Sequence, residues 1–371
     1  MQLYRHGDRG PAVADVQATL SGLGLLPDPP AEPVFDAATD RALREFQQRR
    51  GLSVDGIVGA ETYRALAAAR WKLGDRLLSL ATRPFVGDDV ADLQERLLEL
   101  GFDAGRADGV FGPRTEAALR RLQREYGLLP DGTCGPGTLR ALRQLGRHVT
   151  GGRPQVLRET EALHESGAAL PGKIVVLDPG HGGTDRGAVG NGLEEAALAE
   201  DLAARLEGRL AAVGVRALLT RGVGSNPSVA ERAAFANDTA ADLFLSLHVD
   251  QSPSPRCQGV AAYHFGAGSG ATSTVGEELA SLVQREVVAR TDLVDCRVHE
   301  KTWEILRLTR MPAVRLELGH VTNPGDAARL ADPAFRDTVA EGVLVAVQRL
   351  FLPAELDPPT GVMRLPSLPV G

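Results

Sequence analysis

Along the first 145 residues apolar positions recur at helical spacing, and they do so twice. Val13, Val16, Leu20 and Leu23 mark one face of an amphipathic helix, because residues three and four apart share a face at 3.6 residues per turn. The stretch Val13-Ala14-Asp15-Val16-Gln17 returns as Val90-Ala91-Asp92-Leu93-Gln94. From Val34 to Leu66 the chain aligns with Val110 to Leu142 at a constant offset of 76, with sixteen of 33 positions identical. Such self-similarity points to two copies of one structural unit. Each copy predicts a second helix, over 37–50 and 113–126, ended by Gly51 and Gly127 where a left-handed cap is favoured. After the turns Asp55-Gly56 and Asp131-Gly132 a short third helix is expected near Thr62 and Thr138. The reading is two small three-helix bundles, over 1–70 and 83–145.

The pattern then changes. Residues 146–172, rich in Gly, Pro and polar residues, read as a linker with a short helix at 156–163. Next, Lys173-Ile174-Val175-Val176-Leu177 forms the run expected of a strand buried on both faces, followed at once by Asp178-Pro179-Gly180-His181-Gly182-Gly183. Leu198, Leu202, Leu206 and Leu210 mark a helix. Strands are predicted at 215–220, 243–248, 260–265 and 313–318, with helices at 230–236, 276–290 and 335–350. This alternation predicts an α/β fold: a three-layer α/β/α domain with a mainly parallel sheet over 173–352, helices covering both faces. A proline-containing tail over 353–371 is expected to pack loosely.

Composition narrows the partners. The formal charge of -7 gives no basic footprint, which argues against nucleic acid and anionic membranes. No run of about 18 apolar residues occurs, so no membrane span is expected. Met1 to Gly10 lacks the basic start and apolar stretch of a secretory signal, which reads as cytoplasmic. The three cysteines, Cys134, Cys257 and Cys296, lack CxxC spacing and predict neither a disulfide framework nor a cysteine metal site.

Chemistry gathers at strand ends in open α/β sheets. His181, His248 and Glu317 stand there, and Glu195 opens the helix after the first of these strands. Two imidazoles and a carboxylate make a common catalytic zinc set that leaves a fourth position for water. A further acid is then free as the base. Glu317 suits that role because it stands alone at the end of an apolar strand, where burial raises a carboxyl's pKa. A lone histidine after a strand is more often merely packed; the force of the reading is in the combination.

Two resemblances follow. The second repeat is similar to the peptidoglycan-binding family in Gly87, Val90, Leu93, Gln94, Leu97, Asp108-Gly109-Val110-Phe111-Gly112, Gln123, Asp131-Gly132, Gly135 and Thr138. The first repeat has Pro33-Val34-Phe35-Asp36 after a proline-rich insertion and departs from the pattern there. Residues 173–352 resemble the zinc-dependent N-acetylmuramoyl-L-alanine amidases. The motifs are Leu177 to Gly183 with Asp185 and Gly187-Ala188, Glu195 with Leu198 and Leu202, Ser246-Leu247-His248, and Met311 to Gly319 with Thr322-Asn323-Pro324. This resemblance implies Zn2+ as cofactor, with His181, Glu195 and His248 as ligands. It implies Glu317 as general base and the muramoyl–alanine amide of peptidoglycan or muropeptides as substrate. Glu194 is the alternative to Glu195, which is preferred because leucines follow it at three and seven residues. Asp250 and His320 replace the family's usual Asn and Phe and are expected to touch substrate. His264 and His299 read as structural or surface residues. A rival comes from a signal-less actinobacterial group with the same domain order, similar notably over 285–291 and 295–299. Its mycobacterial member looks like a regulator of peptidoglycan-precursor synthesis rather than a hydrolase. That resemblance implies cytoplasmic protein partners and a phosphorylation site at Thr360 in place of hydrolysis.

Overall fold

The computed structural model describes residues 3–27, 33–50, 52, 54–145, 167, 169–266, 272–352 and 360. Gly51, the helix expected at 156–163 and the tail other than Thr360 lie outside these. The chain divides into two compact units, one holding both repeats and the other the sheet. Among the described residues no helix is long and apolar enough to cross a membrane.

Each repeat is three helices: α1 Pro11–Gly22, α2 Ala37–Arg49 and α3 Ala60–Ala69, then α4 Asp88–Glu99, α5 Pro113–Glu125 and α6 Pro136–Leu145. The sequence stripe becomes core, with Val13, Val16 and Leu20 packed among Phe35, Leu43, Phe46 and Val58. Gly127 adopts φ +64 just past α5, the left-handed cap read from its sequence.

The polar signature residues brace the turns from within. Buried Gln94 donates from Nε2 to Asp108 Oδ1, Val110 O and Thr115 Oγ1 at 2.9, 3.1 and 3.0 Å, and its Oε1 accepts the Gly109 N–H at 2.9 Å. Gln47 and Gln123 do the same for the Asp55-Gly56 and Asp131-Gly132 turns, each accepting a glycine N–H at 2.9 Å. Gln17 is the fourth such residue, but Pro33 stands where the second repeat has Gly109, and proline has no N–H. Gln17 Oε1 is accordingly buried without a partner among the described residues, while its Nε2 still reaches Val34 O and Thr39 Oγ1.

The second unit contains β1 Ile174–Pro179, a hairpin of β2 Val189–Gly190 and β3 Leu193–Glu194, α7 Glu195–Ala212, β4 Arg216–Leu219, α8 Val229–Asp238 and β5 Leu243–Asp250. Then come β6 Val260–Phe265, α9 Thr274–Arg290, β7 Asp295–Lys301, α10 Glu304–Leu308, β8 Ala313–His320, α11 Pro324–Ala331 and α12 Pro333–Phe351. The main sheet runs β4-β1-β5-β8-β6-β7. β4, β1, β5 and β8 are parallel; β6 lies antiparallel to β8 and carries β7 parallel to itself. β7 went unpredicted because the edge strand Asp-Cys-Arg-Val-His-Glu-Lys offers no apolar run. The last predicted helix, 335–350, is α12, while α11 just before it went unpredicted; Asp332 caps and Pro333 starts α12.

Alternation along the strands sorts the side chains. Leu245, Leu247, Val249, Val314, Leu316 and Leu318 enter the large core with α7, α9 and α12. The intervening Ser246, His248, Arg315 and Glu317 therefore point to the opposite face, since successive strand residues alternate sides. Asp178 shares that second face and is met there by Arg232 of α8, which makes the third layer.

Candidate metal centre

The loop after β1 is fixed by a buried ionic network. Asp178 accepts hydrogen bonds from Thr220 Oγ1, Ser246 Oγ and Arg232 Nη1 at 2.6, 2.7 and 2.8 Å. Arg232 also donates to Pro179 O and His181 O at 2.7 and 2.6 Å, and Arg221 to Pro179 O at 3.0 Å. These bonds hold His181 at φ 57, a left-handed conformation that costs a non-glycine residue on the order of 1–3 kcal/mol. None of Asp178, Arg221 and Arg232 had been singled out. The available signals were a Thr-Arg pair closing a strand and an arginine among the alanines of a helix.

Glu195 is placed by the start of α7 and by two backbone donors, Ala188 N–H to Oε2 at 2.7 Å and Val249 N–H to Oε1 at 3.2 Å. Its carboxylate lies between the two histidines, with Oε2 at 3.1 Å from His181 Nε2 and Oε1 at 2.8 Å from His248 Nδ1. One donor atom from each of the three lies within 4.8 Å of the others. Residues separated by up to 67 positions thus converge on one point that divalent cations favour. The backbone yields to them: a Cβ at Gly180 would fall 2.3 Å from His248 Cε1, and one at Gly187 would fall 2.5 Å from Glu195 Oε2. Asp185 Oδ2 lies 2.8 Å from His181 Nδ1, the outer carboxylate that orients a ligating imidazole. The donor set and its cradle fit a metal ion of the zinc type.

Without a metal the cluster shares protons. Hydrogen bonding to Glu195 raises the His181 pKa to about 9 against the opposing effect of burial, with Asp185 adding to the rise. Burial pushes Glu195 up, but hydrogen bonds from His181, His248 and Ala188 N–H outweigh it and hold the carboxyl far below its ordinary 4.5. Glu194, the alternative, is half-buried in the hairpin, apart from the cluster and paired with Arg186.

Glu317 is buried on β8 at the position registered with His248 of β5. It does not stand alone, as the sequence suggested. Arg315, two residues earlier and so on the same face, donates from Nε and Nη2 to Glu317 Oε1 at 2.7 and 2.5 Å. The expectation of an isolated carboxyl is therefore corrected to a partly buried ion pair. Tyr263 lies nearby, its phenol pushed up to about 12 by burial and then by the Glu317 and Asp250 charges, so it stays neutral. Asp250 and His320 pair with each other across the ends of β5 and β8, with Nε2 to Oδ2 at 3.6 Å. His264 is buried, which lowers its pKa, and His299 stacks near Tyr263 at 5.6 Å.

Comparison with known proteins places this geometry. The N-acetylmuramoyl-L-alanine amidase family matches residues 175–349, and the peptidoglycan binding domain family matches 9–66 and 86–142. The chain is 49% identical over 378 residues to N-acetylmuramoyl-L-alanine amidase CwlM of Mycobacterium tuberculosis, covering 98% of this chain and 93% of that one. The chain belongs to the N-acetylmuramoyl-L-alanine amidase family. Its amidase half is also 30% identical over 195 residues to amidase LytC of Bacillus subtilis, covering 53% of this chain and 38% of LytC. Among solved structures, the amidase from Clostridium difficile 630 is 27% identical over 47% of this chain and 94% of its own, with a TM-score of 0.45. The two matched peptidoglycan binding domain segments fall within the two repeats, and His181, Glu195, His248 and Glu317 fall within the amidase segment.

Proposed function

We propose that the chain is a zinc-dependent hydrolase of the amide joining N-acetylmuramic acid to L-alanine in peptidoglycan, with its two repeats binding the same polymer. The carrying observation is the convergence of His181, Glu195 and His248 within 4.8 Å, with Glu317 registered beside His248. Zinc held there supplies Lewis acidity toward the amide carbonyl and lowers the pKa of water to about 7. The chain's own residues do the rest. Asp185 fixes the ring of His181, and the Ala188 and Val249 N–H groups fix Glu195. Glu317 takes the proton of the attacking water and returns it to the departing alanine nitrogen, the usual work of a positioned carboxylate. Asp250 and His320, at the mouth of the same strand ends, are the residues offered to the substrate.

A domain kept only for protein contacts has no physical need of two imidazoles, an orienting Asp185 and a buried acid meeting at one point. That favours hydrolysis over the regulatory reading. The test is zinc analysis with muropeptide cleavage on the purified chain. His181→Ala should lose stoichiometric zinc and activity together. Glu317→Ala should keep its zinc and lose on the order of 10²–10⁴ in rate. A zinc-loaded wild-type chain that releases no peptide from muropeptides would sink the proposal.

A further inference from the structure

One of the chain's two tryptophans, Trp303, stands at the start of α10 against the face that carries Glu317. Its ring lies 4.6 Å from that of Tyr263, tilted by 45°. The guanidinium of Arg315 sits over the Trp303 ring as well, 4.5 Å from its centroid. From there Arg315 sends both Nε and Nη2 to one oxygen of Glu317, Oε1. Sheet register explains why these groups meet. Tyr263 pairs with Arg315, and Ala261 with Glu317, across the β6–β8 ladder. All four side chains share one face, and the small Ala261 leaves room beside the carboxylate.

Two consequences follow from the shape of this contact. Because Oε1 takes both arginine donors, Oε2 has no partner among the described residues. Because a guanidinium is planar and stacks on aromatic faces, a ring beneath it fixes the plane in which its donors point. We propose that Arg315, clamped on Trp303, is a positioning residue that locks Glu317 by Oε1 and leaves Oε2 free to carry the proton. This rests on the amidase reading above. An ammonium at position 315 would restore charge without the planar fork, so lysine is a poor substitute there.

The experiment uses the full-length, zinc-loaded chain and a soluble muropeptide. Arg315→Met should lower kcat by about 10²-fold, the loss typical of a misplaced catalytic group, with KM, zinc content and melting temperature held. Trp303→Leu should shift kcat in the same direction by less, and Trp303→Phe should recover most of it. A rise in KM with kcat unchanged would assign Arg315 to substrate binding instead, and unchanged constants would reduce it to packing. Either result overturns the clamp. Loss of zinc from Arg315→Met would overturn it as well. Hydrogen exchange of the Arg315 Nε–H supplies a readout independent of turnover: it should be slow in the wild type and faster in Glu317→Ala, and equal rates would show that the pair does not form. An inactive zinc-loaded wild type removes the amidase reading and the clamp with it. An active wild type matched by an equally active Arg315→Met removes the clamp alone.

Discussion

His181 combines a left-handed backbone, φ 57, with an imidazole whose two nitrogens lie 2.8 and 3.1 Å from carboxylates of Asp185 and Glu195. Those carboxylates raise its pKa from 6.5 to about 9 in the metal-free chain. A histidine with a raised folded pKa contributes stability that is fully present below 6.5 and is lost as pH climbs through about 9. The melting temperature of chelator-treated protein should therefore fall between those values, and His181→Ala should flatten that slope. A metal-free melting temperature that rises over the same window would contradict the assignment. Metal binding needs the neutral ring, so zinc should be held more tightly as pH rises across this interval. At this scale His181, Glu195 and His248 were legible as a cluster because each stands at a strand or helix end, and the leucines three and seven residues on singled out Glu195 over Glu194. Arg315 was not: it was read only as part of a motif, although an arginine in the apolar run Ala313 to Leu318, two positions before a glutamate, is an anomaly that period-two geometry can turn into a contact.

Among the elements, the repeats show what sequence periodicity reveals and where it stops. Helix spacing placed all six helices, because their buried stripes follow the 3.6 period closely. The role of the glutamines was hidden, since nothing in the spacing says that Gln94 fills the turn closed by Asp108-Gly109. β7 and α11 were missed for related reasons: a polar edge strand has no pattern, and an eight-residue helix is too short for its period to show. The unequal bracing of the two copies gives a prediction. Gln94→Leu strips the Gly109 N–H and the Asp108 carboxylate of a buried partner, which costs about 1–3 kcal/mol. Gln17→Leu also removes an acceptor that is already without a partner, so its cost should be smaller. Native-state hydrogen exchange reads the two repeats separately, amides of α4–α6 against those of α1–α3. An equal or larger loss from Gln17→Leu would show that Pro33 does not weaken the first copy.

For the whole molecule, a sheet unit with a core of its own travels with two repeats that match the peptidoglycan binding domain family. If the repeats hold the polymer, cleavage of an attached glycan strand becomes an intramolecular encounter, and effective concentration replaces bulk concentration. That gain exists only for a substrate large enough to occupy repeat and active site together. A chain shortened to begin at residue 169 should therefore cleave soluble muropeptides with kcat/KM unchanged, since the four residues of the site all lie beyond that point. On insoluble peptidoglycan at sub-saturating amounts the same truncation should slow release by roughly 10²-fold, the scale of avidity from one added attachment. Adding the missing repeats as a separate polypeptide should not restore the rate, because binding in trans supplies no tether. Equal losses on both substrates would mean that the repeats support the sheet unit itself, and no loss on either would mean that they do not engage the polymer being cut.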